Sequence, residues 1–413
     1  MVSLSARDLQ VADTGNHRLA DAASALIVFT HLRWDGVFQR PQHLLSRFAR
    51  DLPVTVIEEP VFRADVAPGG DVRVTVDGGV TVLTPVLPVG TRLRFGFTAD
   101  VLPDISRLIA PHLTMPGDAT ANGPSERGPG RGPRPIVWYY TPMALGALPE
   151  TIEPALVVFD AMDELASFRD APEALREREA TMFQVADLVF TGGPSLYDAR
   201  RDRHPSVHCF PSGVDPRHFA QATGDVTVPA ELAALPHPVL GFYGVLDERI
   251  DFDLIQAMAD ARPGWSLALI GPLAKIDPID LPRRPNITYF GQRRYAELPA
   301  FLAGFDIAIL PFALNEATRS ISPTKTLEYL AGEKPVISTP IADVVSLYGD
   351  VVRIADGPAS FVAEIDAALA ESAPERRRRH AAGRSHLLAH DWDAIAENMA
   401  SLMIETLMAR RGV

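Results

Sequence analysis

Three polar residues at close spacing, Ser322, Lys325 and Glu328, could together bind a nucleotide diphosphate. Ser322 suits an N-cap and Pro323 suits the first helical position, so the sequence predicts a short helix over residues 324–331. The free N–H groups and the positive dipole end at a helix start attract anions, and the Lys325 ammonium adds a full charge there. Glu328 lies one turn further along the same face, where its carboxylate could accept hydrogen bonds from two vicinal hydroxyls. This order of groups suits a diphosphate followed by a ribose.

The same stretch could instead be an ordinary capped helix with a solvated Lys and Glu, because short helices of this kind are common. However, residues 323–336 resemble the nucleotide-binding segment of GT-B glycosyltransferases, specifically the retaining family-four group, whose members read P-x-K-x-x-E-Y-x-A-x-G-K-P-V. The resemblance implies that Glu328 binds the donor ribose and that Lys325 neutralises the leaving diphosphate. The helix start would hold that diphosphate through Ser322, Thr324 and Thr326.

Further segments carry this resemblance over nearly the whole chain after residue 24. They read WDGVFQRPQHL, IVWYYTPM, FDAMDELASF, ADLVFTGGPSLY and GFYGVLDERIDFDLI, and residues 211–219 resemble the N-G-V-D-x-x-x-F junction between GT-B domains. The W-x-x-V-x-Q-R-P-Q-H subgroup includes cell-wall polysaccharide transferases of the teichuronic-acid type. The resemblance implies an α/β fold of the GT-B class, with two facing Rossmann-like, doubly wound parallel-sheet domains and a cleft between them.

Apolar runs that alternate with helical patterns independently predict parallel, doubly wound sheets, and this alternation restarts after residue 215. We predict an extension over residues 1–24, an acceptor-side domain over 25–215 and a nucleotide-sugar-binding domain over 216–388. The resemblance implies that the last helix, in 389–413, crosses back onto the first domain. The Pro/Gly-rich residues 114–135 are expected to form a mobile loop.

Composition and charge narrow the functional classes. The 413 residues suffice for two domains, and the net charge of −13 argues against nucleic acid as the main partner. No apolar run approaches the length of a membrane span, and the N-terminus lacks the apolar segment of a secretory signal. The single Cys209 fits a reducing compartment. These features predict a cytoplasmic protein, with peripheral contact at the inner face of the membrane left open.

Other candidate residues follow predicted strands, a position that faces the cleft in folds of this kind. Asp160 and Asp163 could bind acceptor hydroxyls or act as acid and base, although Asp163 could equally cap a helix. Arg40 could hold phosphate, or it could be a surface residue at a helix start. Gly36 would allow the backbone to approach a donor or acceptor closely.

The segment from Gly244 to Ile250 departs from the family pattern. Many relatives have G-R-L-x-x-x-K here, with Arg and Lys clamping the diphosphate, whereas this chain has Val245 and Ile250 at those positions. The adjacent Arg249 could replace the lost charge. The first glutamate of the family motif, which touches the donor sugar, is Ser320 here.

Gly291 opens a loop that matches the one framing the nucleobase in relatives, and Arg294 on this loop could stack on the base. A pair of exposed arginines opening a helix is the alternative. The histidines show no metal-ligand spacing, and the resemblance implies that no divalent metal is needed. The donor site predicted in this region therefore consists of Gly244, Gly291 and Arg294 beside the helix at residues 324–331.

Together these patterns predict a retaining glycosyltransferase that uses a nucleotide-diphosphate sugar donor and a saccharide or lipid-linked acceptor. The predicted catalytic residues are Lys325, Arg249, Asp160 and Asp163. Two rivals remain: a sugar-nucleotide epimerase of the same fold, and a binding protein that has lost turnover.

Overall fold

The computed structural model describes residues 18–90, 96–113 and 133–411, and within them it forms two separate β-sheets. The first sheet comprises nine strands: β1 Leu26–Thr30, β2 Val54–Glu58, β3 Val61–Arg63, β4 Asp71–Asp77, β5 Val80–Pro88, β6 Ile136–Tyr139, β7 Leu156–Ala161, β8 Leu188–Thr191 and β9 Val207–Cys209. The second sheet comprises six: β10 Val239–Tyr243, β11 Ser266–Ile270, β12 Ile287–Gly291, β13 Ile307–Leu310, β14 Val336–Ser338 and β15 Arg353–Ile354.

Helices connect and cover these strands. They are α1 Leu19–Ala22, α2 Arg40–Phe48, α3 Leu102–Ile109, α4 Leu175–Val185, α5 Pro194–Arg200, α6 Pro216–Ala220, α7 Ala230–Ala233, α8 Phe252–Ala261, α9 Leu298–Ala303, α10 Lys325–Ala331, α11 Ala342–Tyr348, α12 Pro358–Leu369, α13 Ala373–Ala389 and α14 Trp392–Arg411. Short 3-10 turns lie between several of them, including Leu165–Ser167 and Tyr295–Glu297.

Both sheets have the parallel, doubly wound topology that the sequence predicts. The first runs in the order β3-β5-β2-β1-β6-β7-β8-β9, and only β4 pairs antiparallel, with β5. The second runs β12-β11-β10-β13-β14-β15, with every pair parallel. Strand order reverses beside β1 and β10, which is where such sheets open a crevice at their carboxyl ends. The predicted two-sheet α/β architecture is confirmed.

The central strands of the first sheet are buried on both faces, whereas the edge strand β4 is mostly exposed. Successive residues of a strand point to opposite sides of the sheet. Leu26 and Val28 of β1 join the core under α2 and α14, while Ile27 and Phe29 join the core under α3 and α4. We call this sheet and its helices the N-terminal domain, and the second sheet with its helices the C-terminal domain. The continuous apolar runs in the sequence thus mark strands that are covered on both sides.

The last helix, α14, follows the C-terminal domain in sequence but packs on the N-terminal domain. Its buried residues Trp392, Met399 and Met403 belong to the same core as β1 and β6. The chain passes between the domains at two neighbouring points, where Val214 forms an isolated parallel bridge with Asp391.

Parts of the sequence prediction differ from the structure, and other parts concern residues outside the described ranges. Residues 19–22 of the predicted extension form α1, because Leu19 and Ala22 are buried in the core that contains α14. Residues 1–17 lie outside the described residues, as do 114–132 of the loop predicted to be mobile. Apart from α1, the helices that were not predicted are α3, α6, α7, α11 and α13.

Candidate functional site

A cavity of about 140 Å³ lies between the two domains, at the carboxyl ends of their strands. Its lining from the N-terminal domain comprises Val37, Phe38, Gln39, Arg40, Met162, Asp163 and Ser212. Its lining from the C-terminal domain includes Gly244, Arg249, Gly271, Arg293, Tyr295, Ser322, Thr324, Lys325 and Glu328. The geometry therefore brings the start of α10 together with loops of the opposite domain.

Helix α10 starts later than the sequence predicts. It begins at Lys325, and Thr324 already has helical backbone angles, so Ser322 is not its N-cap. A tight turn causes the shift, since the Thr326 N–H donates to the Pro323 carbonyl at 3.2 Å. Ser322 and Thr324 nevertheless line the cavity as predicted, whereas Thr326 is fully buried and does not line it. Thr326 is thus removed from the predicted set of diphosphate contacts.

Lys325 lies in the cavity wall with its ammonium unpaired among the described residues. Burial lowers its pKa, and the neighbouring Glu328 carboxylate opposes that shift. Gly244 lets the lysine stem pass, because a Cβ built at this glycine would lie 2.3 Å from the Lys325 Cε. Gly244 has a φ of +150°, a conformation that favours glycine. Gly244, a predicted donor-site residue, therefore makes room for the lysine that faces the cavity.

Glu328 is 7% exposed and stands in the cavity wall one turn beyond Lys325. Burial raises the pKa of its carboxyl, and the positive charge of Lys325 acts in the opposite direction. The carboxylate is electrostatically coupled to the hydroxyls of Tyr243 and Tyr295. Both hydroxyls are buried; that of Tyr243 interacts with the Glu328 carboxylate and lowers its pKa, whereas that of Tyr295 has no hydrogen-bond partner within the described residues. Buried polar groups that lack partners are rare, so this corner of the cavity suits a hydroxyl-bearing ligand.

Arg249 contributes a second positive charge to the cavity wall. Its guanidinium is bound by Asp247 and lies 5.5 Å from the ring centroid of Phe168, which belongs to the N-terminal domain. Burial by itself would lower the pKa of Arg249, but the hydrogen bonds and negative charge of Asp247 outweigh this effect and raise it. Ile250, where relatives have lysine, is 4% exposed and pairs with Phe312. A lysine at that position would face the core, so Arg249 is the cation that this loop supplies.

The two candidate carboxylates of the FDAMDEL segment are separated by the fold. Asp163 lines the cavity, and burial raises its pKa while Arg249 opposes the shift. Asp160 is fully buried behind the cavity and forms an ion pair with Arg40, at 2.9 Å between Oδ2 and Nε. Arg40 also donates from Nη1 to the Phe210 carbonyl at 2.8 Å. Asp160 and Arg40 therefore hold the cavity floor together, and the position of Asp160 behind the cavity argues against a role for it in acid–base chemistry. Arg40 itself lines the cavity, and its Nη2 has no hydrogen-bond partner within the described residues.

The remaining predicted residues lie at the edge of the site or outside it. Gly36 and Gly291 are exposed and do not line the cavity. The Arg294 side chain is 85% exposed and pairs with Glu297 at 3.0 Å. Its neighbour Arg293 lines the cavity instead, with its guanidinium 5.2 Å from the Phe301 ring centroid and paired to Glu231. The loop after β12 thus reaches the cavity through Arg293 and not through the predicted Arg294, and its role in framing a nucleobase stays a prediction.

Several contacts across the cleft were missed by sequence reasoning. Phe38 of the N-terminal domain stacks on Tyr295 at 4.5 Å between ring centroids, and within the C-terminal domain His218 stacks on the same tyrosine at 4.3 Å. Ser195 donates to the Asp343 carboxylate from its backbone N–H at 3.0 Å. The sequence offers no local signal for these pairs, because their members are far apart along the chain.

The described residues contain no group of three or more His, Cys, Asp or Glu side chains placed to hold a metal ion. None of the helices in this part of the chain combines the length and apolar character needed to cross a membrane.

Comparison of the sequence with known proteins identifies glycosyltransferase relatives. Residues 252–401 match a family model described as glycosyl transferase-like. The putative teichuronic acid biosynthesis glycosyltransferase TuaH of Bacillus subtilis (strain 168) is 24% identical over 326 residues, which span 73% of this chain and 77% of that protein.

Comparison of the structure finds the same fold in sugar-transferring enzymes. Sucrose-phosphate synthase from Thermosynechococcus elongatus superposes with a TM-score of 0.65 at 15% identity, over 94% of this chain and 100% of the other. The E. coli trehalose-6-phosphate structure bound with UDP-2-fluoro glucose superposes with a TM-score of 0.63 at 14% identity, over 92% of this chain and 99% of the other. These likenesses confirm the GT-B fold and the resemblance to glycosyltransferases that the sequence predicted.

Proposed function

We propose that this chain is a glycosyltransferase that moves a sugar from a nucleotide-diphosphate sugar to a saccharide or lipid-linked acceptor. The observation that carries the proposal is the group of Lys325, Arg249 and Glu328 in one interdomain cavity. Two cations beside a buried carboxylate match a diphosphate joined to a ribose. The relatives described as glycosyltransferases support the same class of reaction.

The donor would bind along the C-terminal wall of the cavity. Lys325 and Arg249 would neutralise the diphosphate, together with the backbone at Ser322 and Thr324. Glu328 would accept hydrogen bonds from the ribose hydroxyls, and the unpartnered hydroxyl of the nearby Tyr295 would bind a polar atom of the same ligand. Because these charges are fixed before the reaction, they stabilise the departing diphosphate without reorganisation.

We further propose that the reaction retains the anomeric configuration and requires no metal ion. The bond between the anomeric carbon and the diphosphate oxygen breaks while the acceptor oxygen bonds to the same face of that carbon. The acceptor proton passes to the leaving diphosphate, and Asp163 orients the acceptor hydroxyl from the opposite wall. One superposed structure concerns glycosyltransfer with retention by trehalose-6-phosphate synthase, which supports this stereochemistry.

The acceptor would enter from the N-terminal domain. A teichuronic acid transferase among the relatives favours a growing saccharide or a lipid-linked sugar. We propose that the protein acts in the cytoplasm and meets such an acceptor at the inner face of the membrane.

A thermal-shift screen against a panel of nucleotide-diphosphate sugars tests donor binding and identifies base and sugar together. We expect one donor class to raise the melting temperature through preferential binding to the folded state. Product analysis with and without saccharide acceptors then identifies the reaction. A glycosylated product supports transfer, an epimerised donor without acceptor indicates the epimerase, and donor binding without turnover indicates a binding protein. Absence of any stabilising donor would refute the proposal.

A further inference from the structure

Asp247 holds the Arg249 guanidinium through a two-pronged contact. The Nε of Arg249 donates to Oδ1 at 2.9 Å and to Oδ2 at 3.1 Å, and Nη2 donates to Oδ2 at 2.7 Å. The backbone N–H of Arg249 also donates to Oδ1, at 3.0 Å. Asp247 is only 7% exposed and does not itself line the cavity. The Asp247 carboxylate thus fixes both the backbone and the side chain of Arg249 without lining the cavity itself.

This contact occupies one edge of the guanidinium and leaves the other available. Nη1 of Arg249 has no hydrogen-bond partner within the described residues, although Arg249 lines the cavity. The central carbon of the guanidinium lies over the ring of Phe168, from the opposite domain, at 5.5 Å from the ring centroid. Because Asp247 binds one edge of the group, the free Nη1 edge is the part that can still donate.

A flexible arginine loses rotamer freedom when it binds a ligand, and this loss of entropy weakens binding. If the arginine is already held in place, part of that entropy is not lost on binding. An arginine held by a carboxylate also keeps its planar fork aligned for phosphate oxygens. The chain needs such a device here because Val245 and Ile250 replace the two cations that relatives use.

We propose that Asp247 is a positioning residue for donor binding, which fixes Arg249 so that its Nη1 edge meets the diphosphate of the nucleotide sugar. This inference rests on the proposed function, because it assigns the diphosphate to the same cavity. Asp247 contacts no part of the ligand and acts only through Arg249.

The variant Asp247→Asn separates positioning from loop structure. Asparagine keeps the Oδ1 acceptor for the Arg249 backbone N–H, as in other Asx turns, but its amide cannot accept both guanidinium donors. We expect calorimetric titration to show about tenfold weaker binding of the nucleoside diphosphate, among ADP, GDP and UDP, that the wild type prefers. Binding of the matching nucleoside should stay unchanged.

Asp260→Asn is the matched control. Asp260 binds Arg284 in the same two-pronged manner, at 2.6 Å to Nε and 3.0 Å to Nη2, but neither residue lines the cavity. This variant should bind nucleoside and diphosphate like the wild type.

A double-mutant cycle with Arg249→Gln shows whether Asp247 acts through the arginine. In the Arg249→Gln background, Asp247→Asn should change diphosphate affinity by less than about twofold, because there is no guanidinium left to position. Equal losses for nucleoside and diphosphate, or an equal loss in both backgrounds, would overturn the inference and leave the proposed function standing. A wild type that binds none of the three diphosphates would instead refute the proposed function.

Discussion

Glu328→Gln tests the assignment of the ribose site with little change in shape. Glutamine keeps the size of the side chain, removes its charge and turns one acceptor oxygen into a donor. The variant should remain folded, because the amide removes the cost of holding a carboxylate at 7% exposure. Circular dichroism and thermal unfolding check this point before any binding measurement.

The expected loss follows from the hydrogen bonds that the carboxylate can make. Hydrogen bonds to a charged group contribute about 1.5–3 kcal/mol, and glutamine keeps only one of two acceptor oxygens. Donor affinity should therefore fall by roughly one to two orders of magnitude. The low exposure of Glu328 places the expected loss in the upper part of this range, since water competes poorly for a buried partner.

Titration with the ribose and 2′-deoxyribose forms of one donor isolates the contact. Wild type should bind the ribose form more tightly, because the deoxy form leaves one carboxylate oxygen without its donor. Glu328→Gln should reduce this discrimination as well as the affinity. If the variant binds both forms as tightly as wild type does, Glu328 is not the ribose ligand.

The raised pKa of Glu328 adds a dependence on pH. Because only the ionised carboxylate accepts from both hydroxyls, donor affinity should fall on acidification at a higher pH than an ordinary glutamate would give. In the protein without donor, the contribution of Glu328 to folding stability depends on pH in the opposite direction. The folded state holds the proton more tightly than the unfolded state, so the contribution of Glu328 to stability falls as pH rises from the usual glutamate value through the raised pKa. Glu328→Gln should lack both dependences, as binding and unfolding measured across acidic pH can show.

Three further variants address the cavity wall and its floor. Lys325→Ala should weaken nucleoside diphosphate binding by roughly ten- to hundredfold and nucleoside binding far less, and equal losses in titration would indicate a structural lysine. Asp160→Asn should lower the free energy of unfolding by about 3–5 kcal/mol, because it leaves the buried Arg40 uncompensated; a denaturant midpoint like that of wild type would contradict this. Gly244→Ala should cost about 1–3 kcal/mol of stability through its positive φ and should also reduce diphosphate affinity by displacing Lys325, with unchanged melting and titration curves arguing against both effects.

Local patterns allowed prediction of most strands and of helix α10, although β3 was not predicted. The predicted apolar runs correspond to strands such as β2 and β8, because continuous β-branched and apolar residues specify a buried parallel strand. Lys325 and Glu328 reach the cavity as predicted because helical spacing alone puts them on one face.

Features that depend on distant partners could not be predicted in the same way. Arg40 and Asp160 are 120 residues apart, and only the folded sheet shows that they neutralise one another. The choice between Arg293 and Arg294 depends on the exact start of a 3-10 turn, which composition does not specify. Helix α13 was missed because its arginine-rich sequence has no regular apolar stripe, although Gly383 packs closely on α10.

The return of α14 to the first sheet has a consequence for synthesis on the ribosome. The core of the N-terminal domain needs Trp392, Met399 and Met403, which are translated after the whole C-terminal domain. The C-terminal domain, by contrast, is built from one uninterrupted stretch of chain between the two crossing points at Val214 and Asp391. Domains generally fold as units as they are synthesised. The N-terminal domain is therefore translated first but completed last. Part of its apolar core surface stays exposed until α14 has been synthesised.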